Sequence, residues 1–451
     1  MSTIAAIVTA PGHAAVSIIR VSGKDAWAIV RSLRRNVILS PSGRQDPIAP
    51  QDDIAGEFKL QWIYDGENKV DQALILPFKA PHSYTGEDVI EIQCHGGYWM
   101  SQKILDLLLE AGASLAKPGE FSERAVLNGK MDLSQAESIM DLIEARSDKA
   151  GENAIKLYQG ELGGQIKTIR NSLLNLLAEL TACIDFPDEV KDFDRGKYQQ
   201  LIAGHIEKID EILAGESEGH ILREGYKVAL IGAPNVGKST LLNTLLKKER
   251  AIVTNIEGTT RDLIEESYSI KGLPIVLLDT AGIRESDDTV EQLGIERSQQ
   301  AIEEADLVLQ LEDVRSLRAT KQSSKTLKVA TKIDLCTDDW IASSQAPRND
   351  SADIAISAQE GTNIPELKEL IYSRILETKK VNDQVKINHR QADLLRKAKA
   401  ALEKSQAATH LATDFWTIDL RGAIAALGEI TGETLTEELL DNIFSRFCIG
   451  K

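Results

Sequence analysis

Gly232-Ala-Pro-Asn-Val-Gly237-Lys238-Ser239 is the stretch on which the fold turns. It follows the apolar run Lys227-Val-Ala-Leu-Ile231 and precedes the helix-like Leu241-Leu-Asn-Thr-Leu-Leu246, so it reads as a phosphate-binding loop between a strand and a helix. Glycines let the backbone turn its N–H groups inward around phosphates, and the helix N-terminus adds positive potential. Lys238 is expected to reach the β- and γ-phosphates and Ser239 to ligate Mg²⁺, with Asn235, Val236, Gly237 and Thr240 along the same turn.

Working outward, the apolar runs Ile275-Val-Leu-Leu278, Asp306-Leu-Val-Leu309, Leu327-Lys-Val-Ala330 and Ile354-Ala-Ile356 alternate with helix-like stretches. That alternation predicts a parallel sheet covered on both faces, over residues 218–378. Three strand-end motifs follow in the order that a GTPase needs. Gly258-Thr259-Thr260-Arg261-Asp262 offers Thr260 as a second hydroxyl for Mg²⁺ on a loop that senses the γ-phosphate. Asp279-Thr280-Ala281-Gly282 places an acid to hold Mg²⁺ through water and the Gly282 N–H toward the γ-phosphate. In Thr331-Lys332-Ile333-Asp334, Asp334 can accept hydrogen bonds from guanine N1–H and N2–H₂; adenine offers no such donors. Ser357-Ala358-Gln359 is expected to complete the base pocket. Thr331 stands where asparagine is usual, and Ile283 stands where many switch GTPases carry a water-orienting glutamine. An apolar Ile283 means that hydrolysis takes its polar help from elsewhere; a cation such as an arginine finger is worth about 10³–10⁵ in rate.

The flanks are of two kinds. Residues 1–119 mix β-branched runs (Val16-Ser-Ile-Ile-Arg-Val21, Val89-Ile-Glu-Ile-Gln93) with Gly and Pro turns, which predicts an α+β domain. From 120 the spacing turns helical: Leu162, Ile166, Ile169, Leu173, Leu177 and Leu180 predict one face of a long helix packed on other helices. The helical period returns after 379, in Leu420, Ile424, Leu427 and Ile430. The fold class expected is therefore multidomain: 1–119, α+β; 120–217 and 379–451, two parts of one helical bundle; 218–378, an α/β P-loop domain inserted between them. The Ser316–Lys325 stretch reads as a loop.

The 451 residues are 42% hydrophobic and 27% charged, the balance of a globular protein that needs several cores. A net charge of −17 argues against a free-standing nucleic-acid clamp; for an RNA substrate, a local basic patch or a basic partner would have to supply much of the phosphate contact. Cys94, Cys183, Cys336 and Cys448 are widely spaced, so neither a disulfide framework nor a zinc site is expected. The start, MSTIAAIVTAPG, lacks the basic flank of a signal peptide, and no apolar run spans a membrane. A cytoplasmic protein without membrane or DNA partner is expected. Cys448 and His95 read as packing residues before they read as nucleophile or metal ligand.

These motifs resemble the tRNA modification GTPase family (MnmE, also called TrmE), and the likeness extends over the whole chain. It rests also on Ser83-Tyr-Thr-Gly-Glu-Asp88, Gln93-Cys-His-Gly-Gly97, Pro118-Gly-Glu-Phe-Ser-Glu-Arg124, Ile184-Asp-Phe-Pro-Asp188, Leu222-Arg-Glu-Gly225 and the closing Phe447-Cys448-Ile-Gly-Lys451. The resemblance implies a folate-binding, dimerising N-terminal domain, a discontinuous helical domain and an inserted G domain. It implies a complex of the homodimer with the flavoprotein MnmG, which carries FAD and NADH. That complex would add an aminomethyl-type group to carbon 5 of tRNA wobble uridine from a tetrahydrofolate derivative (5-formyl or 5,10-methylene form).

By motif, the GTP-binding set extends to Thr254, Asn255, Ile256, Glu257, Gly258 and Thr259. Potassium would stand in for the arginine finger, held by Asn235, Thr254, Ile256 (backbone) and Thr259, and Glu291 would position the attacking water. The folate contacts carry over to Arg20, Glu91, Lys130 and Lys451. This set makes chemical sense, because a pterin presents a donor edge to a carboxylate and its glutamate tail wants cations. The rival reading is a GTPase timer for ribosome assembly that transfers no group; its expected basic RNA module is absent from the sequence.

Overall fold

The structure is a computed structural model that describes residues 2–10, 12–33, 58–186, 194–246, 265–279, 301–316, 325–335, 352–378, 384–408, 413–434 and 436–451. The chain divides into two compact units, Met1–Met140 with Gly428–Lys451, and Asp141–Leu427.

The first unit is built on a six-stranded sheet: β1 (Ile4–Ile7), β2 (Val16–Ser22), β3 (Lys59–Asp65), β4 (Asn68–Phe78), β5 (Val89–His95) and β6 (Ser114–Leu115), in the order β3-β4-β5-β2-β1-β6. Pairing is antiparallel except between β1 and β6. In β2 the alternation of Ile19 and Val21 with Arg20 buries the aliphatics and leaves the arginine on the opposite face. Ile19, Val21, Ile75, Ile90 and Ile92 meet Ile104, Leu105 and Leu108 of α2 (Tyr98–Glu110), and Ala26, Ile29 and Val30 of α1 (Ala26–Ser32) join the same core. A second small core gathers Val126 at the end of α3 (Glu120–Leu127), Leu133 and Ala136 of α4 (Leu133–Glu144), and Leu440, Phe444 and Phe447 at the C-terminus.

The second unit holds α5 (Asp148–Tyr158), α6 (Glu161–Asp185), α7 (Arg195–Leu213) and α8 (Glu216–Glu224) before its sheet. On α6 the expected stripe buries Leu162, Ile166, Ile169, Leu173 and Leu180, but Leu176 is buried and Leu177 only half-buried. At about 100° per residue, Leu176 and Leu177 flank the stripe at about 50° on either side of its centre, so sequence spacing does not choose between them and the packing does.

The second sheet comprises β7 (Tyr226–Gly232), β8 (Glu265–Ile270), β9 (Leu273–Asp279), β10 (Leu307–Asp313), β11 (Thr326–Thr331) and β12 (Ile354–Ala355), in the order β12-β11-β10-β7-β9-β8. Five strands are parallel, as the alternation predicts, but β8 runs antiparallel to β9, so the sheet is mixed. The connecting Lys271-Gly272 has φ +49° and +81°, the two positive values of a tight hairpin turn. One face packs Val228, Leu230, Leu277 and Leu309 on α9 (Lys238–Leu246) and α10 (Ile364–Thr378). The other buries Ala229, Val276, Leu278 and Val308 against Ala301 and Ala305. After the sheet come α11 (His389–Ala407), which opens on a capping box at Asn388, and α12 (Thr413–Thr431), whose Leu420, Ile424 and Leu427 are buried as expected. Ring stacking of Tyr198 on Trp416 at 4.8 Å ties α7 to α12. The C-terminal helix is α13 (Glu437–Phe444). No helix among the described residues is long and apolar enough to cross a membrane.

Candidate functional site

Parallel strands end on one edge, which is where an open α/β sheet places its ligand. Gly232, Asp279, Asp313 and Thr331 close β7, β9, β10 and β11 there. The turn after β7 needs its glycine: a Cβ on Gly232 would lie 2.5 Å from Leu311 O. Asn235 (φ +59°) and Gly237 (φ +105°) then bend the loop into α9. Lys238 lies folded back, Nζ donating to Gly232 O at 2.6 Å and Ala233 O at 3.1 Å. Among the described residues the ammonium is held by these loop carbonyls, which it can exchange for phosphate oxygens. Ser239 and Thr240 are exposed on the first turn of α9, so a hydroxyl stands where a magnesium ion beside those phosphates would sit. These residues fit a nucleoside triphosphate with its metal.

Beyond the loop, Lys332 adopts φ +65° and turns the chain out of β11. Its Nζ is 3.2 Å from Asp313 Oδ2. The Arg315 guanidinium, which donates to both Asp313 oxygens at 2.9 and 2.7 Å, holds that carboxyl far below the usual carboxylate range. Asp334 sits in the short turn Ile333–Leu335, and Ser357, fully buried, donates its hydroxyl to Asp334 Oδ1 at 2.6 Å. The Thr244 hydroxyl of α9 donates to Ala358 O at 2.7 Å. The segment 357–358 is thus tied to both the acid and the phosphate-loop helix. The hydroxyl contact from Ser357 to Asp334 was not legible in the motif, since it joins residues far apart in sequence. Gln359 is exposed beside this pair.

Asp279 ends β9 opposite Leu230 of β7. Thr254, Asn255, Ile256, Glu257, Gly258, Thr259, Thr260, Thr280, Ala281, Gly282, Ile283 and Glu291 lie outside the described residues.

A second cluster lies in the first unit. Register pairs Arg20 of β2 with Glu91 of β5, and the guanidinium reaches Glu91 Oε1 through Nε at 2.9 Å and Nη2 at 2.8 Å. Arg20 Cζ stands 5.0 Å from the ring centre of Tyr84 and 5.5 Å from that of Phe121, a cation between two aromatic faces. Tyr84 belongs to the 83–88 segment, which is anchored from behind. Arg124, 3% exposed, meets Glu87 at 3.1 Å and Glu120 at 2.7 Å, and Ser22 donates to Glu87 at 2.8 Å. Lys130 Nζ donates to Pro81 O at 2.9 Å on the same loop.

The C-terminal residues complete this neighbourhood. Ile449 bridges to Pro118, Gly119 N–H donates to Cys448 O (3.4 Å) and Phe121 N–H to Lys451 O (3.1 Å). Gly450 (φ +98°) must be glycine, because a Cβ would fall 2.7 Å from Ile7 O. The structure therefore brings Arg20, Glu91 and the Lys451 backbone around Phe121, with Lys130 at the neighbouring loop. Carboxylate, guanidinium and aromatic faces together fit a flat heterocycle with an anionic tail.

Cys448 is exposed and not the packed thiol expected, since its backbone is held by the Gly119 N–H while its side chain faces outward; Cys94 is the buried one, its thiol pushed up to about 11 by that burial. His95 Nδ1 lies 2.7 Å from Asp71 Oδ1 and its backbone N–H donates to Asp71 Oδ2 at 2.8 Å; the ring is 75% exposed, so it is tied at the strand end by hydrogen bonds and not packed as expected. No metal-ligand cluster of His, Cys, Asp or Glu occurs among the described residues. In the second unit, Arg223 of the Leu222–Gly225 stretch forks onto Asp141 with two 2.7 Å contacts.

Comparison with known proteins adds sequence-wide likeness. Residues 3–130 match the family model for the GTP-binding protein TrmE N-terminus, and residues 133–448 match that for the MnmE helical domain. The tRNA modification GTPase MnmE of Trichormus variabilis is 44% identical over 468 residues, covering 100% of this chain and 98% of its own length. That of Thermoanaerobacter pseudethanolicus is 40% identical over 470 residues, with 100% and 99% covered.

Proposed function

The chain belongs to the tRNA modification GTPase MnmE family, and from that premise we propose that it couples GTP hydrolysis to building an aminomethyl-type group on carbon 5 of tRNA wobble uridine. The carbon comes from a tetrahydrofolate derivative, and the flavoprotein MnmG is the partner that brings FAD and NADH to the homodimer. The reading places it in the cytoplasm. Its domains are 1–119, 120–217, 218–378 and 379–451, the third being the G domain.

In this reading Lys238 and Ser239 hold the phosphates and Mg²⁺, with Thr260 and Asp279 as further magnesium partners. Asp334, held by Ser357, accepts the guanine edge. Asn235, Thr254, Ile256 and Thr259 hold potassium, which supplies the positive charge that an arginine finger supplies elsewhere. Glu291 orients the water. Arg20, Glu91, Lys130 and Lys451 take the folate.

One observation carries the folate half. In the first unit the Phe121 N–H donates to the Lys451 carbonyl at 3.1 Å, while Arg20 stands over the ring of the same Phe121. A ribosome-assembly timer gives no reason for such a cluster. The test is mass spectrometry of wobble uridines from cells lacking the gene. Loss of the carbon-5 substituent, restored by the parent gene and not by a Glu91→Ala copy, is the expected outcome. Unaltered uridines would refute the reading.

A further inference from the structure

The chain enters the sheet of the second unit from α8 and leaves it for α11 through residues 384–388, and these two crossings lie against each other. Gly215 and Gly219 make the contact possible: a Cβ on Gly215 would lie 2.5 Å from Val385 O, and one on Gly219 would collide with Ile387 O. Glycine weakens a helix interior, and at Gly219 its missing side chain is what admits the outgoing segment. Val385 and Ile387 are both buried there.

Lys386, between them, is gripped by two helices. Its N–H donates to Asn153 Oδ1 of α5 at 2.8 Å, and its carbonyl accepts from Asn153 Nδ2 at 3.1 Å. Its ammonium lies 2.7 Å from Glu218 Oε2 of α8, with the two side chains 7% and 4% exposed. A buried ion pair is a weak source of stability, because desolvation offsets the attraction and apolar residues of similar volume hold helices together as well. What it does fix is register, since a segment slipped by one residue would strand both charges. The packing then runs on without a break. Gly225 (φ +81°) joins α8 to β7 where a Cβ would lie 2.5 Å from Val276 Cγ2, and Ala150, Ile221 and Leu222 share one core with Val228 and the phosphate-loop residue Val236.

We propose that Asn153, Glu218 and Lys386 form a joint that makes the P-loop domain move as one body with α5 and α8, and that this joint carries the nucleotide state out to the modification chemistry. The proposal rests on the function read above. The three residues come from 120–217, 218–378 and 379–451, so a single contact ties both arms of the helical domain to the domain inserted between them. Clamped crossings pass on a rigid-body rotation, whereas two independent crossings absorb it in their own backbone angles.

The experiment compares the full-length parent with Glu218→Met/Lys386→Met, which fills the same volume without charge, and with Lys386→Met, which strands the carboxylate. Each is also expressed in cells lacking the gene. The double variant should melt within about 4 °C of the parent and the single variant about 6–12 °C below it. GTP turnover of the double variant should stay close to the parent rate, while the wobble-uridine substituent falls about tenfold by mass spectrometry, a loss of coupling that a merely structural pair would not produce. Hydrogen exchange reads the joint itself. When GDP with aluminium fluoride replaces GDP, protection should change together at 216–224 and 384–388 in the parent, and should stop short of 384–388 in the double variant. Parent-level modification by the double variant would overturn the proposal, and so would a parent whose exchange at 384–388 ignores the nucleotide. A double variant that melts as low as the single one and loses turnover would make the pair structural, which overturns it too. If uridines in cells lacking the gene are unaltered, the proposed function falls, and the exchange data alone decide on the joint.

Discussion

Arg124 is the charge on which the 83–88 segment and α3 both depend, and its removal has a calculable cost. The guanidinium is 3% exposed; Glu87 and Glu120, which it joins at 3.1 and 2.7 Å, are 19% and 16% exposed. Replacing Arg124 by methionine leaves two carboxylates in a poorly hydrated pocket. Breaking a buried pair on one side costs about 3–5 kcal/mol. Glu87 keeps the Ser22 hydroxyl at 2.8 Å and Glu120 keeps the Lys117 N–H at 2.8 Å, which favours the lower figure, about 3 kcal/mol.

For a unit of this size each kcal/mol lowers the melting temperature by about 2–4 °C, giving a fall of about 6–12 °C. Differential scanning calorimetry of the full chain measures it, with hydrogen exchange over 81–88 and 120–127 to locate the loosening. Arg124→Lys should recover part, since an ammonium reaches one carboxylate and cannot fork between two. Adding Glu87→Gln and Glu120→Gln to Arg124→Met should recover most of the loss by removing the stranded charges. A methionine variant that melts within about 2 °C of the parent, with unchanged exchange, refutes the argument.

Glu91→Ala should abolish 5-formyltetrahydrofolate binding in calorimetry while GTP turnover stays near the parent rate, because the acid and Lys238 lie in different units; retained folate affinity would remove Glu91 from the site. GTP hydrolysis should be faster in potassium than in sodium at equal ionic strength, and Asn235→Ala should erase the difference. Equal rates of the parent in the two salts would end the catalytic-cation reading. Glu291→Ala should lose hydrolysis but keep potassium-driven dimerisation, as measured by light scattering. At pH 8, maleimide should label Cys448 much faster than Cys94, whose buried thiol ionises only near about 11; peptide mass spectrometry showing equal labelling would contradict the burial.

The phosphate loop was legible because its chemistry is local: within eight residues, glycine, lysine and serine at fixed spacing determine a backbone path. Strand–helix alternation was legible for the same reason, and it placed Asp334 and Ser357 at strand ends. The antiparallel edge was not, because Lys271-Gly272 lacks the Asn-Gly signal of a tight hairpin. Nor were β1, β3 and β4: Ile4–Ile7 is short, and β3 carries exposed Leu60 and Trp62 on its outer face, which blurs the alternation.

What only the tertiary structure decided were pairings across long loops. Arg20 meets Glu91 across 71 positions because β2 and β5 share a register, and one residue of slip would put them on opposite faces. Thr331 meets Val236 across 95 positions because β11 and β7 flank the same strand, β10. The tail reaches Phe121 because Gly450 alone lets the backbone close on Ile7. Sequence spacing determines local conformation; which distant side chains meet is set by sheet register and packing, and those exist only once the chain has folded.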